Sequence, residues 1–177
     1  MTTLKIDFHK PRRVLRGPIA FFDNSFIVEI LEMEPSLQNH CSLLLRATYK
    51  TSSHPLFHPS ASPSKTYPQI PPLHLHFNQI ETFKILSGRL GCRVGWEQEE
   101  VILTKESEAL DLGIMVPHQP FPVVCEEEDT VAILAVHPRA AEEEEMGEEF
   151  FEGLFGYFDR CWRTGERVDL VRVCVWQ

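Results

Sequence analysis

The most informative stretch of the chain is HLHFNQIETFKILSG, residues 74–88. It opens with His74 and His76, places Glu81 after four intervening residues, and ends at Gly88 after six more. Side chains two residues apart on a β-strand point to the same side, so the two imidazoles can share one ion. Imidazole nitrogens and carboxylate oxygens are ligands that divalent transition metals prefer. The spacing therefore predicts a metal held inside a β-structure.

Short strands are predicted on both sides of this stretch. They are apolar runs of strand length, bounded by turn residues such as Asp23-Asn24-Ser25. The predicted strand regions are 19–34 (two strands), 43–48, 81–87, 90–96, 101–103, 109–116 and 131–136. Several short strands with turns about every ten residues are typical of a β-sandwich or β-barrel.

Residues 51–72 break this pattern because they are dominated by Ser, Pro and His. Repeated prolines are incompatible with a helix or a central strand, so a long loop is predicted that leads directly into His74. Long loops in compact domains are often functional lids, and the alternative is a disordered insertion. The sequence favours neither interpretation.

The C-terminal part has the period of an amphipathic helix over residues 140–165. Its apolar residues recur every three or four positions and are Phe150, Phe151, Leu154, Phe155, Phe158 and Trp162. Glu142–Glu145 lie near the predicted start, where negative charge suits the helix dipole. The aromatic face is predicted to pack across the open mouth or the outer face of the β-domain, with lining of a ligand site as the alternative. Residues 168–176 are predicted to form a final strand.

Length, charge and cysteine content limit the class of protein. The 177 residues fit a single domain spanning residues 1–177 and can bury a sizeable core. The net charge is −9 and Lys and Arg do not cluster, which disfavours nucleic acid and an anionic membrane as partners. No apolar run is long enough to span a bilayer, and residues 1–16 lack the apolar core of a signal peptide. Five scattered cysteines without a C-x-x-C pair indicate reduced thiols and a cytoplasmic location.

The histidines and the glutamate resemble the first motif of the cupin superfamily, G-x5-H-x-H-x3–4-E-x6-G. His74, His76, Glu81 and Gly88 match its residue types and spacing, and Pro68 stands at the position of the leading glycine.

The second cupin motif, G-x5-P-x-G-x2-H-x3-N, is matched at its histidine by His118. Its proline, glycine and asparagine positions are held by Gly113, Met115 and Pro122. The resemblance covers about residues 19–137, which would form the barrel core, and the helix is an addition.

The resemblance implies an all-β fold, an antiparallel jelly-roll (cupin) barrel with an added C-terminal amphipathic helix. It also implies one divalent transition metal bound by His74, His76, Glu81 and His118. Three nitrogens and one carboxylate leave one or two coordination positions open, as a catalytic site requires. Fe, Zn, Mn, Ni and Cu are all compatible with this ligand set. The other histidines are predicted to be structural or solvated, and they are His9, His40, His54, His58 and His137.

The overall layout is similar to small single-domain cupins of filamentous fungi, which implies an enzyme for a small oxygenated organic molecule in a secondary-metabolite (polyketide-like) tailoring step. In an oxidative, dioxygenase-type reaction Glu81 remains a metal ligand. In a Lewis-acid isomerisation or cyclisation Glu81 could dissociate and carry a proton, which makes it the predicted catalytic residue.

Two further functional alternatives are a non-catalytic small-molecule binding cupin and a sugar-nucleotide isomerase or epimerase. The second is disfavoured because Arg and Lys do not cluster around His74. A homodimer is expected, with the N-terminal strands as the exchanged element, since exposed strand edges tend to pair.

Overall fold

The computed structural model describes residues 6–58, 67–138 and 146–169. The elements within these ranges are β1 (Val14–Phe21), β2 (Phe26–Leu31), α1 (Pro35–Gln38), β3 (Leu43–Tyr49), a 3-10 turn (Pro55–Phe57), β4 (Ile80–Ser87), β5 (Arg89–Val94), β6 (Glu99–Thr104), β7 (Leu110–Leu112), β8 (His118–Pro122), β9 (Thr130–His137) and α2 (Glu148–Thr164).

The strands form two antiparallel sheets. The larger has the order β1-β2-β3-β9-β4-β7, and the smaller has the order β6-β5-β8. Strands distant in sequence are neighbours in the larger sheet, where β9 lies between β3 and β4. The prediction of an all-β jelly roll with an added C-terminal helix is therefore confirmed.

The main core lies between the inner faces of the two sheets. On β4, Phe83 and Ile85 are buried and face inward together with Glu81, whereas Lys84 between them points outward. The smaller sheet contributes Leu90 and Leu103. Burial of these branched and aromatic side chains on one face of each sheet supplies the apolar contact that holds the layers together.

A second apolar cluster covers the outer face of the larger sheet. Its buried members are Leu31, Leu44, Ile133 and Ala135. Residues Ile6 and Phe8, which precede the first strand, pack against it. The sheet is thus apolar on both faces, which explains why its central strands read as nearly continuous apolar runs.

Several strand boundaries differ from the sequence prediction. β1 starts at Val14 rather than at residue 19, and the region predicted as one strand over 109–116 is a strand only at Leu110–Leu112. The rest of it turns, with Met115 in the left-handed region at φ 62° and Val116 N–H donating to the Gly113 carbonyl.

Helix α2 begins at Glu148, and the two described residues before it, Met146 and Gly147, are in irregular or extended conformation. It ends at the predicted position, where Gly165 adopts a left-handed conformation (φ 72°) that favours glycine. Residues 139–145 and 170–177 lie outside the described ranges, and so do Glu142–Glu145 and most of the predicted final strand.

Two contacts fix the aromatic face of α2 over one end of the sandwich. The Phe22 N–H donates to Asp159 Oδ1 at 2.7 Å, which ties the helix to the β1–β2 turn. The Phe155 ring packs against Phe26 with the centroids 4.9 Å apart. The prediction that this face packs against the β-domain is therefore confirmed.

Among the described residues, Cys41, Cys92, Cys125 and Cys161 are free thiols, and no helix combines the length and the apolar character that a membrane crossing demands. Burial raises the pKa of Cys41 to about 11 and that of Cys92 to about 12. Both thiols are therefore protonated and unreactive near neutral pH.

Candidate metal centre

The four predicted ligands come together between the two sheets. Glu81 points inward from β4, His118 is the first residue of β8, and His74 forms an isolated antiparallel bridge with His118. The His76 carbonyl accepts a hydrogen bond from Met115 N–H at 2.8 Å, which holds the His-x-His segment against the loop before β8. One donor atom from each of the four residues lies within 4.8 Å of all the others.

Two of the imidazoles are oriented by their own backbone. His74 Nδ1 lies 2.8 Å from the Pro72 carbonyl, and His118 Nδ1 lies 2.9 Å from the Val116 carbonyl. A carbonyl oxygen can only accept, so each Nδ1 carries the proton. In the neutral ring, Nε2 is then left with a free lone pair, as a metal ligand requires.

The central carboxylate lies between two imidazoles. Glu81 Oε2 is 3.3 Å from His118 Nε2, and Glu81 Oε1 is 3.5 Å from His76 Nε2. The second distance is within ion-pair range but too long for a well-formed hydrogen bond. His76 Nε2 is buried and has no hydrogen-bond partner among the described residues. A buried nitrogen without a partner is costly unless something coordinates it. The donor set and this unpaired nitrogen together fit a divalent transition metal.

The electrostatics of the cluster favour an ionised carboxylate. Burial alone would raise the pKa of Glu81, but its close contacts with His118 and His76 hold it well below its usual range. Burial lowers the pKa of His74 to about 4, against the opposing attraction of Glu81. The pKa of His118 would be lowered by burial but is raised by its contact with Glu81. At neutral pH the site therefore holds an anionic carboxylate and a neutral His74.

A cavity of about 60 Å³ adjoins the cluster and reaches from His74, His76 and Glu81 to helix α2. Its wall on the helix side consists of Phe150, Phe151, Leu154, Phe155 and Phe158. This volume corresponds to roughly four to six waters, and the surrounding wall is largely apolar. The aromatic face of α2 thus lines a ligand-sized site in addition to packing on the β-domain.

The loop before the cluster also contributes to the cavity. Gln69, Pro71 and Pro72 line it, and Gln119 Nε2–H donates to the Pro71 carbonyl at 2.8 Å. The described part of the region 51–72 is therefore packed into the fold, while residues 59–66 lie outside the described ranges. Nothing in the sequence distinguished Gln69, because a lone glutamine in a proline-rich stretch has no motif around it.

The five remaining histidines lie outside the cluster. His54, for example, accepts from Leu56 N–H through Nδ1 and lies with Nε2 2.9 Å from the Asp23 carbonyl, so it orders a turn. Their predicted structural or solvated roles agree with these positions.

The two sheets, their strand order and the inward-facing cluster match what the cupin motifs imply. The chain has the cupin fold. Among solved structures it is similar to KdgF from Halomonas sp., with a TM-score of 0.44, 12% identity, and coverage of 77% of this chain and 94% of that chain. It is also similar to the capsular polysaccharide assembling protein CapF from Staphylococcus aureus, with a TM-score of 0.46, 14% identity, and coverage of 77% and 31%.

No protein-family model matches the chain. A curated oxidoreductase of Arthrobotrys oligospora is 28% identical over 166 residues, which cover 93% of this chain. The chain spans about 61% of the length of that relative.

Proposed function

We propose that this chain is a metal-dependent enzyme that oxidises a small oxygenated organic molecule in a tailoring step. The observation that carries the proposal is the convergence of His74, His76, Glu81 and His118, with donor atoms within 4.8 Å, at the edge of an apolar cavity. A buried binding pocket alone has no need of three imidazoles around a carboxylate. Perturbed ionisable groups in a cavity are typical of catalytic sites.

The relative from Arthrobotrys oligospora supports the oxidative class, since its name is that of an oxidoreductase and the similarity covers 93% of this chain. A bound divalent ion would supply Lewis acidity and, where it is redox-active, electron transfer toward molecular oxygen. His74, His76, Glu81 and His118 would hold it. The oxidant that we propose is O2.

The chain's own residues would perform two further tasks. Glu81 is ionised, so as a ligand it would balance part of the charge of the bound ion, and only in the alternative Lewis-acid reaction would it leave the ion and accept a proton from a substrate hydroxyl. The aromatic wall formed by α2 excludes water, which strengthens every electrostatic interaction between the substrate and the cluster.

Metal content is the first test. Protein purified without a chelating tag and reconstituted separately with Fe(II), Mn(II), Ni(II), Cu(II) and Zn(II) is analysed for bound metal. We expect one ion per chain for at least one of them. Absence of stoichiometric metal both as purified and after reconstitution would contradict the proposal.

Oxygen dependence then separates the reaction types. The reconstituted protein is mixed with oxygenated aromatic probes, starting with catechol, while oxygen consumption and products are followed. If the reaction is oxidative, we expect O2 to be consumed with the substrate. Turnover under strict anaerobiosis would instead favour Lewis-acid isomerisation or cyclisation. If His76→Ala loses the metal but keeps its affinity for the probe, the non-catalytic binding function gains support.

A further inference from the structure

Gln69 is a buried polar residue of the cavity wall that the metal cluster does not use. Its side chain is 1% exposed, and it lines the same cavity as His74 and Glu81. Tyr49 is the other polar side chain among the described lining residues outside the cluster. The rest of that wall is apolar, so any polar atom of Gln69 that faces a ligand has few competitors.

The hydrogen bonds around Ser25 determine which amide atom of Gln69 is free. The Ser25 hydroxyl donates its only proton to the Phe22 carbonyl at 2.7 Å. Ser25 Oγ therefore accepts from Gln69, which makes the contacting atom of the amide Nε2–H rather than the oxygen. Exchanging the amide oxygen and nitrogen would require the Ser25 proton to turn away from the Phe22 carbonyl and toward Gln69.

Gln69 Oε1 is consequently an acceptor without a partner among the described residues, although it is fully buried. An unpaired buried carbonyl is unfavourable, and each such atom in a native protein calls for an explanation. Gln69 lines the cavity, and a donor group of a bound ligand that reached Oε1 would supply the missing hydrogen bond. A charged ligand is disfavoured. The described lining residues include no Lys or Arg that could pair with an anion, and no acidic residue other than Glu81 that could pair with a cation.

We propose that Gln69 is a specificity-determining residue that accepts a hydrogen bond from a hydroxyl or N–H group of the substrate. The substrate class is then a small, uncharged, largely apolar ring compound. One end bears oxygen atoms that face the cluster, and another position bears a neutral hydrogen-bond donor. This inference rests on the proposed function, since it places the oxygenated end of the substrate at the metal.

Ring hydroxyls test the inference when they are compared with methyl groups of similar size. The probes are pyrogallol against 3-methylcatechol, and 1,2,4-benzenetriol against 4-methylcatechol, titrated without oxygen into the Zn(II)-loaded full-length protein. We expect the wild type to prefer the hydroxyl member of at least one pair by roughly tenfold. In Gln69→Met, which keeps length but lacks the acceptor, that preference should disappear. Gln69→Glu keeps an acceptor oxygen and should retain it.

Gln79→Met is the matched control. Gln79 is also 1% exposed, but its Nε2 donates to Ser42 Oγ and the Pro138 carbonyl, and its Oε1 accepts from Met146 N–H. It does not line the cavity. We expect Gln79→Met to lower the melting temperature more than Gln69→Met does, because it breaks satisfied hydrogen bonds, and to leave the hydroxyl preference unchanged.

Two results would overturn the inference in distinguishable ways. If wild type and both Gln69 variants bind Zn(II) and the catechols but discriminate equally between hydroxyl and methyl, the acceptor is satisfied by water alone, and the proposed function still stands. If the wild type binds no metal, the proposed function fails and this inference fails with it.

Discussion

His74 and His118 are joined by two backbone hydrogen bonds, His74 N–H to the His118 carbonyl at 3.1 Å and His118 N–H to the His74 carbonyl at 2.8 Å. This exchange makes them directly opposite partners of an antiparallel bridge, and their ring centroids lie 4.4 Å apart. Each ring is also anchored through Nδ1 to the carbonyl two residues before it. These two imidazoles are therefore held in place by the backbone before a metal binds.

Removal of one imidazole should abolish metal-dependent stabilisation. A ligand that binds only the native state raises the melting temperature, so the wild type should gain stability when metal is added. His76→Ala should lose this gain, with metal affinity reduced at least about 100-fold, since even residues that merely orient ligands cost 10–100-fold. Differential scanning fluorimetry with and without metal measures the effect. The control is His9→Ala, an exposed histidine outside the cluster, which should respond like the wild type.

Replacement of Gly88 should destabilise the folded protein for a steric reason. Its φ is +69°, and a Cβ placed there would lie 2.7 Å from the Thr130 Cα, which is backbone and cannot move aside. Gly88→Ala should lower the free energy of unfolding by about 2–4 kcal/mol, combining left-handed strain with overpacking. Gly95→Ala has similar strain at φ +76° but meets no atom within 4 Å, so it should cost about 1–2 kcal/mol. Equal losses in urea unfolding would contradict this assignment.

His137 should make stability depend on pH. Burial lowers its pKa below the ordinary 6.5, against the attraction of Asp111, and its Nε2 lies 2.7 Å from Thr82 Oγ1. The unfolded chain binds the proton more readily than the folded chain, so this contribution is fully present above about pH 6.5 and is lost as the pH falls below it. Because Thr82 donates to Asp111 Oδ1, its hydroxyl accepts from the neutral His137 ring.

Urea unfolding of His137→Gln between about pH 7 and pH 5 should therefore lose less stability on acidification than the wild type does. His40→Gln changes an exposed histidine and should keep the wild-type slope. A slope in His137→Gln equal to that of the wild type would show that another group titrates.

Truncation of the helix wall should enlarge the range of ligands. Phe155 lines the cavity, and its ring packs on Phe26, so Phe155→Ala should open space beside the cluster and cost about 3 kcal/mol of stability. The Zn(II)-loaded variant should gain affinity for naphthalene-2,3-diol relative to catechol. Trp162→Ala lies on the same helix but outside the cavity wall, so its affinity ratio should stay that of the wild type. An unchanged ratio in Phe155→Ala would mean that α2 does not limit ligand size.

A homodimer remains our prediction for the solution state. β1 is an edge strand whose outer residues are exposed, and Leu15 on it is 54% exposed. Light scattering should give the dimer mass at micromolar concentration, and Leu15→Lys should shift it toward the monomer. A monomeric mass for the wild type would refute the prediction.

The sequence anticipated those parts of the fold that depend on local rules. Alternation along β4, the turn at Gly88 and the end of α2 at Gly165 follow from side-chain period and backbone freedom, which neighbouring residues determine. β8 was not predicted, because Pro120 and Pro122 within five residues argue against a strand. It lies at the edge of the smaller sheet and pairs only with β5 there, so the missing N–H groups face no strand partner.

The types and spacing of the donors were determined by the sequence alone, since residues two apart on a strand share a face whatever surrounds them. The tertiary structure decided the rest. The bridge that brings His118 to His74, the helix that closes the cavity and the Ser25 contact that leaves Gln69 Oε1 free all join distant segments. Such contacts depend on the packing of two sheets and one helix, and no local pattern encodes which atom is left without a partner.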